Sequence, residues 1–499
     1  MMPKKIPLIF FPVLTSLLLV LAYPNFNLGW VAWLALGPLC WFILKAKKLR
    51  QAALGGLACG GLFYLGILYW IYPTMRAGGV GPAVSALGLG LLSLTLGLEF
   101  LLISVCGFYL KKTGRGLWPY LFALCWFLLE YGKVYLALKA VWFPWFMLGY
   151  TQWGYTPLIQ LASVTGVYGL SAAVCFTGAL AAAALAADGP AWRRALRFSP
   201  ALLLFCGLWY FGQRELAGAG APARELSVAL LQPSIDQYAK WDEAEAAGIK
   251  KIMGELSARA AGADLTLWPE NALPCWLDEP DCYAWLKTAA APRAGASLVG
   301  SVSKGDGRHV SAFLLDGKGE VEAAYNKRQL VPFGEYVPLR SFLGKFIEPV
   351  AALGEFQPGA SLQRMPELRG FRLGTAICYE SIFPFLFTRD AAGGADLFVN
   401  ITNDGWYLAT AAPYQHFIVN IFRAVETRRS VARAANNGIS GVIDPWGRVL
   451  AKTSLNERTV LEARVPVYPG SSFFALYGHW LALSAALVLS AFLLAVLFL

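Results

Sequence analysis

The segment FRLGTAICYESIFP, residues 371–384, decides how this chain is read. Apart from Arg372, its first seven residues are small or apolar, without the alternation of a half-solvated strand. Such a run is a strand buried on both faces between helical layers. Tyr379 to Ser381 then read as a turn and a helix start. Cys378 stands at the junction. Taken alone it has two readings. Free cysteine is among the most buried residue types, which makes it a core filler. At the start of a helical turn, backbone N–H groups would instead lower its pKa and later hold an oxyanion, which makes it a nucleophile.

The surrounding block, Arg214 to Ser472, alternates β-rich runs with helical stretches. Strands are expected over residues 225–234, 263–270, 296–303, 309–316, 320–327, 371–380, 395–404 and 438–447. Helices are expected from Glu243 to Ala261, Asp281 to Ala291 and Pro413 to Val431, and DGKGE at 316–320 turns a hairpin. This pattern is a layered α/β sandwich.

The rest of the chain is different. Of 499 residues 57% are hydrophobic and only 15% charged, against about a quarter charged in soluble domains. Eight apolar runs are read as membrane spans: Ile6 to Tyr23, Leu28 to Leu44, Ala52 to Tyr72, Val84 to Leu110, Leu117 to Leu138, Gly166 to Ala187, Phe198 to Gly212 and Phe473 to Leu499. The expected organisation is a membrane domain of seven helices over 1–213, the polar domain over 214–472 and a last span over 473–499. Basic residues crowd alternate loops: Lys4 and Lys5, then Lys45, Lys47, Lys48 and Arg50, then Lys111, Lys112 and Arg115, then Arg193, Arg194 and Arg197. That side is cytoplasmic, so both termini are expected inside and the polar block outside. The net charge of +11 is then largely a topology signal, and no nucleic-acid motif accompanies it. Glycines at 55–61 and 88–97 fit close helix packing.

Within the polar block, metal chemistry has little support, since only His309 and His416 lie there and no Cys/His cluster has zinc-ligand spacing. Three strand ends carry reactive side chains: LWPE ends on Glu270, AYNK on Lys327 and AICYE brings Cys378. Strand ends are where sites gather in layered α/β sheets. Singly, Glu270 reads as an exposed carboxylate and Lys327 as a surface amine.

Together, LWPENALP, YNKRQLVPFGEYVP and AICYESIFP resemble the three signatures of the nitrilase, or carbon–nitrogen hydrolase, superfamily, in the order Glu, Lys, Cys. With seven spans before them and one after, the chain resembles the apolipoprotein N-acyltransferase family. The resemblance extends to WFPWFMLGYTQWGY (142–155) and LLQPSIDQYAKWD (230–242). It implies an αββα catalytic domain on the periplasmic face of the bacterial inner membrane. The implied reaction takes an acyl chain from a membrane phospholipid and gives it to the α-amino group of a diacylated apolipoprotein's N-terminal cysteine. It implies no cofactor, no metal and no nucleic acid partner.

The resemblance implies Cys378 as nucleophile and acyl carrier, Glu270 as general base and Lys327 as the cation facing the tetrahedral oxyanion, helped by the Tyr379 N–H. Glu335 matches a second family glutamate that orients Lys327 or holds the amine, and Tyr379 and Glu380 match residues of the oxyanion and substrate shell. Trp241 matches a tryptophan near the substrate entrance, with simple packing as its alternative. Two stretches suit lipid access. Trp142, Trp145 and Phe146 lie in an aromatic loop fitted to the membrane boundary. Phe342 and Phe346 fall at helical spacing in LRSFLGKFIEPVAALGEF (339–356), which is either a lid or a packed helix. Intramembrane Glu130 is expected to pair with Lys133 at i, i+3, while Glu99 has no assigned role. In an oxidising compartment Cys275 and Cys282 pair across CWLDEPDC and leave Cys378 as the odd thiol. Two other readings compete: a membrane-tethered amidase that uses the same three residues and passes its acyl group to water, and a lipid transporter with a binding domain.

Overall fold

The computed structural model describes residues 7–498 except 115, 140, 241, 291–294, 306 and 338–355, with side chains described to residue 491. Among the described residues, twelve strands form two six-stranded sheets. The first holds β1 (Arg224–Gln232), β2 (Leu265–Leu267), β3 (Ala296–Ser303), β4 (His309–Leu315), β5 (Val321–Asn326) and β12 (Thr459–Val467), in the order β12-β1-β2-β3-β4-β5. The second holds β6 (Glu367–Leu368), β7 (Phe371–Ile377), β8 (Leu397–Thr402), β9 (Val431–Ala435), β10 (Gly441–Ile443) and β11 (Val449–Lys452), in the order β11-β10-β9-β8-β7-β6. β1, β2 and β3 run parallel, as do β7, β8 and β9.

Period-2 geometry explains why these strands are apolar throughout. Leu226, Val228 and Leu230 of β1 enter the core shared with β7 and β8, whereas Ala229 and Leu231 face the other way. That other face is covered by helices Glu243–Arg259 and Pro280–Ala290, through Ile249, Met253 and Leu286. Helices Pro384–Ala392 and Ala412–Thr427 pack with the second sheet. The layers are therefore helix, sheet, sheet, helix. The hairpin at 316–320 joins β4 to β5 as expected, and Cys275 and Cys282 form a disulfide.

Several segments were not anticipated. β9 begins at Val431, the expected last residue of a helix that instead stops at Thr427, and runs on through residues given no strand. β11 and β12 fall where no strand was expected, and helix Pro384–Ala392 is additional.

Each of the eight apolar runs falls on helix. Among the described residues, five helices are long and apolar enough to cross a membrane: one beginning at Pro82, then Trp118–Lys139, Ala162–Ala186, Ala191–Ala217 and one beginning at Phe473. Leu49–Ile67 and Ile71–Ala77 form a sixth candidate, bent by 50°, and Phe10–Ala22 and Gly29–Lys45 are shorter apolar helices. The seventh run, Phe198 to Gly212, belongs to a 27-residue helix, Ala191–Ala217. Small residues allow the closest crossing. A Cβ on Gly60 would lie 2.8 Å from the Cα of Gly97, so a side chain there would push two helices apart.

The two regions share one continuous core. Buried apolar residues run from Phe63 and Phe100 in the helices to Ile401 and Phe422 beneath the second sheet. Helix Ala412–Thr427 is the junction: Gln415 Oε1 accepts from the indoles of Trp70 at 3.1 Å and Trp145 at 2.8 Å, and Gln415 Nε2 donates to the Ile67 carbonyl at 3.2 Å. Further along, the Val167 N–H donates to Glu426 Oε1 at 2.9 Å.

Candidate active site

The ends of β2, β5, β7 and β8 meet at one edge of the sandwich. β5 runs in the same sense as β3, because each is antiparallel to β4. Glu270, Lys327 and Cys378 thus all follow the C-terminal ends of strands. Lys327 Nζ donates to Glu270 Oε1 at 2.9 Å and to Glu335 Oε1 at 2.5 Å. The second oxygen of each carboxylate takes a backbone N–H, Asn403 for Glu270 and Val331 for Glu335, both at 2.9 Å. Two of the three ammonium donors of Lys327 are used by these carboxylates, so one is left for a third acceptor.

Electrostatics follow from burial. The Lys327 side chain is fully buried, which alone would lower its pKa, yet Glu270, Glu335 and Cys378 hold it well above the ordinary range. Burial pushes the Glu335 carboxyl up, with Lys327 opposing and Glu270 adding to the rise. Burial also raises the Cys378 thiol well above its usual value, reinforced by Glu270 and opposed by Lys327. A helical-turn environment was expected to lower this thiol; desolvation outweighs it. Asn403 and Lys240 were not anticipated here. Lys240 is 1% exposed and its Nζ has no hydrogen-bond partner among the described residues. Burial brings its ammonium down to about 8, with Glu270 opposing. The only sequence hint was its place in the quoted stretch 230–242.

Cys378 opens a 3-10 turn, Cys378–Ile382, with φ of +50°. A residue bearing a Cβ rarely adopts this region, and such backbone is stored at functional sites. Glu380 helps hold it there. Its carboxylate accepts from Ile377 N at 2.7 Å, from Arg328 N at 2.7 Å and from Tyr325 Oη at 2.9 Å. This fully buried group therefore ties the start of the nucleophile turn to the segment around Lys327. Tyr379 is buried with its ring stacked on Phe143 at 5.9 Å, and its hydroxyl has no partner among the described residues.

The aromatic loop is largely packed inside the protein. Trp145 and Phe146 are 3% and 1% exposed, and Trp142 is half-buried. The cause is polar as well as apolar: the Trp145 indole is satisfied by Gln415, and the Trp142 indole donates to Glu99 Oε1 at 2.9 Å. Glu99 also accepts from Tyr64 Oη at 2.6 Å and pairs with Lys133 at 3.0 Å. This replaces the expected Glu130–Lys133 pair, because Glu130 is taken by the Trp126 indole and the Leu148 N–H, both at 2.8 Å. Trp241, Phe342 and Phe346 lie outside the described residues.

Comparison with known proteins adds the family. A model described as carbon-nitrogen hydrolase matches residues 227–468, and one described as apolipoprotein N-acyltransferase N-terminal domain matches residues 15–180. The chain is 36% identical to an apolipoprotein N-acyltransferase of Geobacter metallireducens, covering 96% of this chain and 94% of that protein. It is 33% identical to one of Azotobacter vinelandii, covering 93% and 90%. Among solved structures, an amidase from Nesterenkonia sp. is similar at 25% identity with a TM-score of 0.36, covering 50% of this chain and 93% of that one.

Proposed function

The chain belongs to the apolipoprotein N-acyltransferase family, and from that premise we propose how its site works: a phospholipid acyl chain passes through a thioester on Cys378 to the α-amino group of a diacylated lipoprotein. One observation carries this reading. A buried Glu270–Lys327–Glu335 cluster shapes the electrostatics of a cysteine on a strained turn, and the whole is docked on apolar helices.

Burial leaves the free thiol of Cys378 protonated, so attack needs a base. Glu270 takes the Sγ proton as Sγ bonds to the ester carbonyl carbon, and charge grows on the carbonyl oxygen. The remaining donor of Lys327 meets that charge. Collapse expels the lysophospholipid alkoxide, which takes the proton back from Glu270 and leaves the thioester. In the second half, the lipoprotein amine attacks the thioester carbonyl and gives its proton to Glu270. The Cys378 thiolate leaves and is reprotonated. Glu335 orients Lys327, while Glu380 and Tyr379 support the turn from behind.

We assign residues 1–213 and 473–499 to the bilayer as eight spans, with both termini cytoplasmic and residues 214–472 on the periplasmic side of the inner membrane; the alternation of basic loops supports this. Trp142, Trp145 and Phe146 then anchor the catalytic domain at the height where lipid esters lie, and Trp241, Phe342 and Phe346 serve entry of the acyl chain. Purified protein given acyl-labelled phospholipid and a diacylated peptide is expected to move label onto the peptide's α-amine, and Cys378→Ser to move none. Release of free fatty acid with an unmodified peptide would favour the tethered amidase.

A further inference from the structure

Behind the nucleophile turn stands a relay of side chains with no part in the steps above. His416 Nδ1 lies 2.8 Å from Asp404 Oδ1 and 3.1 Å from Arg433 Nη2. His416 Nε2 lies 3.0 Å from Ser381 Oγ and 3.1 Å from the Cys378 carbonyl oxygen. Asp404 is further held by Arg433 Nη2 at 2.8 Å and Thr402 Oγ1 at 3.0 Å. Asp404, His416, Arg433 and Ser381 are all within 1% of complete burial.

From this geometry we propose that His416 is a positioning residue for Cys378, fixing the carbonyl side of its strained turn. The inference rests on Cys378 being the acyl carrier. Glu380 already grips the amide side through Ile377 N. The carbonyl side is served by His416: with Nδ1–H donating to Asp404, Nε2 accepts from the hydroxyl of Ser381, a member of the same turn, and lies beside the Cys378 carbonyl. Asp404 and Arg433 hold the ring in plane from the other nitrogen, as outer partners orient a catalytic or ligating imidazole. Trp145 packs on the same ring with centroids 5.5 Å apart, so the ring also touches the aromatic loop. Ser381, His416 and Asp404 have the spacing of a Ser-His-Asp triad. Ser381 has no exposed surface and its own carbonyl accepts from Arg423, which makes its hydroxyl a structural anchor.

Two amide substitutions separate positioning from packing. In His416→Asn the amide reaches the Nδ1 position and satisfies Asp404, but loses the turn. In His416→Gln the amide reaches the Nε2 position and keeps the turn. The readout is single-turnover formation of the acyl-enzyme against phospholipid concentration, alongside thermal stability in detergent. His416→Asn is expected to keep its melting temperature within a few degrees and its half-saturating phospholipid concentration within twofold, while its maximal rate falls roughly 10–100-fold. His416→Gln is expected to stay within about tenfold of wild type. A wild-type maximal rate in His416→Asn overturns the proposal. Equal rate losses in both variants that follow their melting temperatures overturn it too, as does peptide mapping that finds the acyl group on Ser381. If wild type itself forms no adduct on Cys378, the premise has failed and His416 is not the cause.

Discussion

At the scale of single residues, the site sets two carboxylates against one shared ammonium, with Lys240 as a second cation that has no hydrogen-bond partner among the described residues. Removing Glu335 isolates its role. Glu335→Gln keeps the shape but weakens the grip on Lys327 Nζ, so acyl-enzyme formation is expected to slow about 10–100-fold with little change in phospholipid affinity; rapid-quench measurement checks this. Lys240 gives a stability prediction with a defined sign. Its native pKa is about 8, whereas an unfolded lysine titrates near 10.4. Below pH 8 the folded state therefore carries the full cost of a desolvated ammonium. Wild type gains stability as the pH rises from 8 toward that unfolded value. Lys240→Met is expected to raise stability at pH 7 by on the order of 1–3 kcal/mol, with an advantage that shrinks over this pH window. Thermal denaturation in detergent at pH 7 and pH 10 tests it, and a mutant less stable than wild type at pH 7 contradicts it.

At the scale of elements, strands were legible where both faces are apolar, as in β3, β7 and β8, because an unbroken apolar run has few other homes. β9 was hidden by Arg433, a charge inside a fully buried strand. It is tolerable only because Asp404 and Asn400, from the neighbouring strand and its end, solvate the guanidinium. β11 and the first part of β12 were hidden for the opposite reason, since their half-exposed alternation with charges resembles loop. The Glu, Lys and Cys of the site were legible because each ends a strand in a recognisable motif. The His416 relay was not, as its members meet only through the β8–β9 pairing and the helix laid over it. Glu99 likewise acquires meaning only between helices, where it gathers Tyr64, Lys133 and Trp142. Glu99→Leu strands a buried ammonium, so it is expected to cost roughly 3–5 kcal/mol. The double change Glu99→Leu with Lys133→Met is expected to recover much of that loss. A single mutant as stable as wild type in a detergent melt argues against this account.

At the scale of the whole molecule, an α/β sandwich and a set of apolar helices share one core, joined where Gln415 takes two indole N–H groups and Phe143 stacks on Tyr379. The proposed reaction accounts for the union, because both of its proposed substrates carry tails that belong in hydrocarbon and reactive groups that belong at its edge. Residues 214–472 expressed alone should expose the apolar side of helix Ala412–Thr427 and aggregate; a soluble, monomeric fragment on size-exclusion chromatography would deny that coupling. The central claim is that Cys378 carries the acyl chain. Intact-mass spectrometry of the full chain after exposure to phospholipid tests it most directly. The account predicts an added fatty-acyl mass that maps to Cys378, is released by hydroxylamine and is missing in Cys378→Ser. An acyl group on any other residue, or transfer to a diacylated peptide by Cys378→Ser at the wild-type rate, would contradict it.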